Sequence, residues 1–122
     1  METPKIFEQE YKFCLIVWEH EPISAPSLAR LCKERLVWKR TTTYTVIKRL
    51  CERGVLQNEN SVITSLVGKD EAQAAEIDEL VKEKFEGSLP AFFAAFTKRG
   101  HMSEQELDEL QAMIDRARRG DL

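Results

Sequence analysis

The feature of the sequence that most constrains its fold is a pair of predicted helices joined by a very short connection. Ser24 offers an N-cap to the first helix, and Gly54 ends the second, which spans about residues 39–53. Only a few residues, around Val37 and Trp38, lie between the two helices. A short helix, a tight turn and a basic helix form the layout of a helix-turn-helix. The apolar residues of the first helix recur at helical spacing: Leu28, Leu31, Cys32 and Leu36.

An apolar helix is predicted ahead of this pair, over about residues 7–19. A helix that is apolar around so much of its circumference is buried on several sides, so we expect it at the centre of the core. No apolar run is longer than the six residues of Phe13 to Trp18, whereas a membrane span needs roughly 20. One stripe of this helix comprises Phe7, Tyr11, Cys14, Leu15 and Trp18, and its neighbouring faces carry Phe13, Ile16 and Val17.

After Gly54 the pattern changes to two short apolar segments, residues 55–57 and 62–67, joined by a polar tract. The pattern predicts two strands and a turn. A two-stranded hairpin is not stable alone in water, so it must pack on the helices before it. We therefore predict a mainly α protein with a winged helix-turn-helix domain, three helices and a two-stranded wing, over residues 1–68.

Three further helices are predicted in residues 69–122, over about 69–86, over 89–98, and after a capping box at Ser103 and Glu106. A segment of this size buries three amphipathic helices poorly, and its phenylalanines would leave an apolar patch exposed in a monomer. The sequence therefore predicts a helical dimerisation domain; the alternative is that the segment folds back on its own winged helix. The expected interface residues are Ile77, Leu80, Val81, Phe85, Phe92, Phe93, Phe96, Leu107, Leu110 and Ile114.

The net charge of −3 conceals an uneven distribution. Residues 1–68 contain ten basic and eight acidic residues, whereas residues 69–122 contain eight basic and thirteen acidic ones. Residues 30–53 alone hold eight basic residues and two acidic ones. A local basic block of this kind suits a polyanion-binding surface, although a solvated helix face would have the same composition.

The basic helix has two chemically different sides, and Val46, Ile47, Leu50 and Cys51 are expected to face the core. Threonine hydroxyls on the other side can bond base edges or phosphates, and Lys and Arg neutralise phosphates. Threonines are poor helix formers, so propensity does not explain them; the alternative is that they only cap the helix start. A symmetric dimer would read an inverted repeat with half-sites about 34–36 Å apart, or a multiple of that. The candidate DNA-binding residues are Lys39, Arg40, Thr41, Thr42, Thr45, Lys48 and Arg49.

The residues that most often carry enzyme or metal chemistry are few and scattered. The three cysteines are widely spaced in apolar stripes, which indicates buried thiols in a reducing cytoplasm. His20 and His101 have no metal-ligand spacing around them, and no nucleophile or phosphate-loop motif occurs. We therefore expect no metal, no cofactor and no enzymatic activity. The polar N-terminal residues lack a signal peptide pattern, so a cytoplasmic location is expected.

Several segments of the sequence match, in residue type and in spacing, the pattern of a known protein family. These segments are Ile6 to Trp18, Pro22 to Ala25, Trp38, Thr42, Thr45, Arg49-Leu50 and Arg53-Gly54. With these residues the sequence resembles the penicillinase repressor family, which includes regulators of β-lactam resistance and copper-transport repressors. The resemblance implies a winged-helix DNA-binding domain, a helical dimerisation domain, and a repressor whose hold on its operator is relieved by a signal.

The sequence also departs from the family pattern. No Arg lies between Gly54 and Gly68, where the family hairpin carries one, and the copper-responsive relatives' paired cysteines are absent from residues 69–122. In the β-lactam-responsive relatives a sensor-linked protease cuts an Asn-Phe bond in the aromatic helix. The matching bond here is Ala95-Phe96, so the resemblance implies a cleavage site without the Asn. Two alternatives remain open: a winged-helix protein–protein adaptor, and a small-molecule-sensing regulator with a pocket among Phe92, Phe93 and Phe96.

Overall fold

The structure, a computed structural model, describes residues 2–121 and is mainly helical, as the sequence predicts. Within that range lie six helices and three short strands. Their order is α1 (Glu8–His20), β1 (Ile23–Ser24), α2 (Ala25–Leu36), α3 (Arg40–Glu52), β2 (Leu56–Glu59), β3 (Val62–Ser65), α4 (Lys69–Lys84), α5 (Leu89–Thr97) and α6 (Glu104–Arg119).

The chain forms two compact units, and the division between them falls within α4, between Asp78 and Glu79. Helix α4 begins in the first unit, where Ala72 is part of the core and Gln73 donates a hydrogen bond to the Tyr11 hydroxyl at 3.3 Å. The division into domains 1–68 and 69–122 stays a prediction, and its terminal residues 1 and 122 lie outside the described residues.

Helix α1 lies in the core of the first unit, as predicted. Phe13, Cys14 and Val17 are fully buried on it. The predicted stripe was wrong at two positions, because Phe7 and Leu15 are exposed. Phe7 precedes the helix as its N-cap, and Leu15 occupies the outward side of the helix. The core cluster also contains Ile6, Ile16, Ala25, Leu28, Cys32, Val46, Ile47, Leu50, Val55, Leu56, Ile63, Val67 and Ala72.

The helix-turn-helix forms as predicted. The Ser24 hydroxyl caps α2 by accepting from the Ser27 N–H at 3.2 Å. The α2–α3 connection is three residues long, and within it Trp38 is half-buried with its ring stacked on Phe13 at 5.7 Å. Gly54 follows α3 with a φ of +83°, the left-handed conformation that glycine adopts at little cost.

The sheet is larger than the predicted hairpin. Strands β2 and β3 pair antiparallel, and β1 pairs with the other edge of β3, with Ile23 opposite Ile63. The polar tract of residues 58–61 is partly strand, because Glu59 pairs with Val62 and only Asn60 and Ser61 remain in the turn. Both turn residues have positive φ, which gives the tight turn that a two-residue hairpin requires.

The second unit holds the end of α4 together with α5 and α6. Helices α5 and α6, both described in full, contain no buried residue, and Val81 of α4 is buried. Ser103 and Glu106 form the predicted capping box of α6, with the Ser103 hydroxyl accepting from the Glu106 N–H at 3.1 Å. Among the described residues, no helix combines the length and the apolarity that crossing a bilayer requires.

Candidate nucleic-acid interface

Helix α3 presents one apolar side to the core of the first unit. Val46, Ile47 and Leu50 are buried as predicted, and Cys51 is half-buried. Thr43 is fully buried on the same side, so it is separated from the other threonines of the helix. The core contacts therefore fix which side of α3 faces solvent.

All seven candidate DNA-binding residues are exposed. Thr41, Thr45 and Lys48 follow one another at spacings of four and three residues, which places them on one outward face of α3. Thr42 and Arg49 flank this face on one side. The structure thus brings the predicted residues together along α3 and at its beginning.

The first turn of α3 is open to an anionic partner. The backbone N–H groups that begin a helix have no intrahelical acceptor and carry the positive end of the helix dipole. The N-cap is Lys39, whose side chain makes no capping hydrogen bond, and the exposed Arg40 and Thr41 follow it. Backbone donors without intrahelical acceptors and two exposed cations therefore lie at the same end of the helix, an arrangement that suits a phosphate.

The exposed threonines differ in what their hydroxyls can still do. The Thr45 hydroxyl donates to the Thr41 carbonyl at 2.9 Å, so its proton is engaged within the helix. Its oxygen lone pairs and its methyl group remain available to a partner. Thr45 can therefore accept from a base amino group or pack on a thymine methyl, but it does not donate while this bond persists.

Tyr44 belongs to the exposed surface of α3, although the sequence pattern did not predict it there. The Arg40 guanidinium donates to its hydroxyl at 3.2 Å and lies 5.3 Å from the ring centroid. Such a contact orders both side chains near the start of α3. Its spacing could have identified Tyr44 as a surface residue. It lies four residues from both Arg40 and Lys48, so it shares their face of the helix and not the apolar side.

Arg49 has a partner within the protein. Its Nη1 lies 3.9 Å from Oε2 of Glu10, a carboxylate that is buried on α1, although the Arg49 side chain is 56% exposed. Arg53 hydrogen-bonds the same oxygen and donates to the Lys5 carbonyl at 2.8 Å. These contacts join the C-terminal end of α3 to the segment that begins α1.

The pKa of Glu10 reflects these contacts. Burial by itself raises the pKa of this carboxyl, but the net result is a pKa below its ordinary value. The lowering comes from the hydrogen bond of Arg53, the backbone N–H of Phe7, which donates at 2.9 Å, and the charges of Arg53 and Arg49. Glu10 therefore remains ionised and holds Arg53 at the end of α3.

The hairpin turn carries no cation, because the sequence has no Lys or Arg between Gly54 and Gly68. Its exposed residues include Glu59 and the amide side chain of Asn58, whose oxygen accepts from the Ser61 N–H at 3.0 Å. The basic charge that could meet a polyanion is therefore concentrated on α2 and α3.

The cysteines are free thiols. Burial raises the pKa of Cys14 to about 12, and it also raises the pKa values of Cys32 and Cys51. Thiols with raised pKa values are protonated and weakly nucleophilic at neutral pH. Within residues 2–121, no three His, Cys, Asp or Glu side chains are grouped as ligands of a metal ion would be.

An open groove in the second unit has a volume of about 220 Å³. It is lined by Phe96, Arg99, Leu110 and Met113, among others, and Phe92 and Phe93 are not part of its lining. Pockets for drug-sized ligands measure about 300–1,000 Å³. The groove is smaller than that range, and it contains only one of the three phenylalanines of the predicted pocket.

Comparison with known families assigns the chain to one of them. A family model described as Penicillinase repressor matches residues 6–116. The chain belongs to the penicillinase repressor family. The resemblance predicted from the sequence is confirmed, and the match includes α3 and the second unit as far as residue 116. Family members are DNA-binding regulators rather than enzymes, and the role of the chain is that of a transcriptional repressor. No match to the chain was found among curated proteins.

Proposed function

We propose that the protein is a dimeric repressor that binds an inverted-repeat operator through α3 of each protomer and leaves it when a signal acts on the second unit. Residues 1–68 then bind DNA, and residues 69–122 hold the dimer. The observation that carries the proposal is the outward face of α3, where exposed threonines and cations lie opposite a side that the core fixes.

In this proposal α3 enters the major groove, whose width admits a helix. Thr41, Thr42 and Thr45 contact base edges, since their side chains are short and exposed. Lys48 and Arg49 neutralise phosphates, and the open first turn of α3 binds another phosphate. A single helix of this kind makes few base contacts, so specific binding requires a second copy of it.

The exposed apolar residues of the second unit support the dimer. Leu80, Phe93, Leu107 and Ile114 are each about 40% exposed, as is Ile77 at the end of the first unit. A monomer would leave these groups in water, whereas fully burying a side chain of this size contributes about 1.5–3 kcal/mol. Half-buried members of the predicted interface are Phe85, Phe92, Phe96 and Leu110, and Val81 is already buried within its own chain.

We propose that a sensor-linked protease relieves repression by cutting the Ala95-Phe96 bond. The bond lies within α5, and the Phe96 ring contacts Phe92 at 6.3 Å and the Arg99 guanidinium at 4.9 Å. Cleavage would separate Phe96 and α6 from the rest of the chain and so remove much of the dimer surface. Mass spectrometry of the protein from induced cells should find a fragment ending at Ala95. A chain that stays intact throughout induction would contradict this route.

DNA binding is tested by fluorescence anisotropy with a labelled fragment from upstream of the protein's own gene. The logarithm of affinity should fall linearly with the logarithm of salt concentration, with a slope of about −0.9 per neutralised phosphate. Lys48→Ala should weaken binding and reduce the size of the slope by about 2, one phosphate in each half-site. The matched control is Lys98→Ala, which removes an exposed cation from the second unit. Salt-insensitive binding, or equal slopes for Lys48→Ala and wild type, would refute the proposal.

A further inference from the structure

Val37 adopts a backbone conformation that is unfavourable for its residue type. It follows α2 with φ 58° and ψ 33°, in the left-handed region. Placing an ordinary L-residue in this region lowers the ratio of folded to unfolded protein by roughly 5- to 30-fold. Gly and Asn adopt the conformation at a lower cost. A β-branched residue there is a genuine outlier.

The side chain of Val37 brings no compensating burial. It is 86% exposed, more than any other large apolar side chain of the described residues. Its neighbours Leu36 and Trp38 are instead half-buried against the core of the first unit. Folding alone would favour glycine or asparagine at this position, so the valine needs an explanation outside the fold.

The position of Val37 indicates what its side chain meets. It lies three residues before Arg40, the first residue of α3, and three residues of chain span at most about 10 Å. Val37 lies in the sequence between two exposed cations, Lys33 on α2 and Lys39 at the N-cap of α3. A polyanion at the start of α3 is therefore within reach of the two Val37 methyl groups.

We propose that Val37 is a DNA-contacting residue whose methyl groups pack on apolar carbon of the operator, either a deoxyribose or a thymine C5-methyl. This inference rests on the proposed function, because it places the same DNA at the beginning of α3. The strained conformation is retained because it aims an apolar side chain at the operator.

Two substitutions at Val37 separate binding from folding. Val37→Asn relieves the strain and should raise the melting temperature by roughly 4–8 °C. Val37→Ala removes the methyl groups without adding a hydrogen-bonding group. Both variants should lose DNA affinity by about threefold to tenfold. If Val37 had only a structural role, both substitutions would instead lower the melting temperature and the DNA affinity together. Leu66→Ala, which trims another exposed apolar side chain of the first unit, should change neither quantity.

The two sources of apolar carbon are distinguished by a probe in which deoxyuridine replaces every thymidine. If Val37 contacts a thymine methyl, the loss caused by Val37→Ala disappears on this probe. If it contacts a deoxyribose, the loss is the same on both probes. Either result supports the proposal.

Two results would overturn the proposal: Val37→Ala binding both probes with wild-type affinity, or Val37→Asn no more stable than wild type. The proposed function survives both, provided that Lys48→Ala still reduces the salt dependence of binding. A wild-type protein that does not bind the unmodified fragment refutes both proposals together.

Discussion

Arg53→Ala removes the guanidinium that joins the C-terminal end of α3 to the beginning of α1. Arg53 hydrogen-bonds the Glu10 carboxylate, donates to the Lys5 carbonyl at 2.8 Å and lies 5.3 Å from the Phe7 ring centroid. The Glu10 side chain is 7% exposed and that of Arg53 is 26% exposed. The substitution therefore leaves a buried carboxylate without its principal partner.

The expected loss follows from these contacts. Breaking a buried ion pair costs about 3–5 kcal/mol, and a hydrogen bond from a charged donor contributes about 1.5–3 kcal/mol. Glu10 keeps the Phe7 N–H and has Arg49 at 3.9 Å, so part of its charge remains compensated. We therefore expect the free energy of unfolding to fall by about 3 kcal/mol, at the lower end of the ion-pair range.

The measurement is urea denaturation followed by circular dichroism, for wild type, Arg53→Ala, Glu10→Gln and the double variant. Because the two residues interact directly, the losses should not add, and the coupling should be about 1–2 kcal/mol. The matched control is Arg35→Ala, which breaks the exposed pair with Glu19 at 3.0 Å. That pair should contribute less than about 1 kcal/mol.

An Arg53→Ala protein within about 0.5 kcal/mol of wild type would show that Arg53 is not the principal partner of Glu10. Strictly additive losses in Glu10→Gln and Arg53→Ala would refute it as well, because residues that share a hydrogen bond should be coupled.

Two further predictions concern acid stability and the dimer. Because the pKa of Glu10 is lower in the folded protein than in the unfolded chain, its ionisation stabilises the fold above about pH 4.3, and this stability is lost as pH falls through the folded-state pKa. Unfolding free energy should therefore fall more steeply with acid in wild type than in Glu10→Gln, and identical profiles would contradict the assignment. In sedimentation equilibrium, Phe93→Ser should raise the dimer dissociation constant by about 10- to 100-fold. Leu89→Ser, at an exposed α5 position outside the predicted interface, should have little effect, and equal behaviour of these two variants would contradict the interface.

The helical part of the fold was predictable because its signals are local. The spacing of Val46, Ile47 and Leu50 identified the buried side of α3, and Ser24 and Gly54 marked helix ends. These signals depend on helical periodicity and on the chemistry of helix termini, which a single sequence shows directly.

The missed features depend on contacts between distant segments or on very short elements. Strand β1 has two residues, too few to show an alternating pattern, and it exists because β3 offers it an edge. The contact of Arg53 with Glu10 joins residues 43 positions apart, a distance that no local pattern spans. The left-handed conformation of Val37 was unpredictable because the residue type disfavours it.

The outward face of α3 was predicted residue by residue, but its internal partners were not. The exposure of Thr41, Thr42 and Thr45 follows from the same periodicity that buries the opposite side. The sequence did not show that Arg49 lies near Glu10, or that Arg40 contacts Tyr44. Such pairings depend on side-chain conformations and on how α1 packs against α3.

The proposed function requires that two copies of α3 contact one DNA duplex. Hydroxyl-radical footprinting of the complex on the fragment upstream of the gene tests it most directly. We expect two protected patches related by two-fold symmetry, with centres about 34–36 Å apart or a multiple of that distance. One isolated patch, or an unprotected fragment at protein concentrations where the dimer is formed, would contradict it.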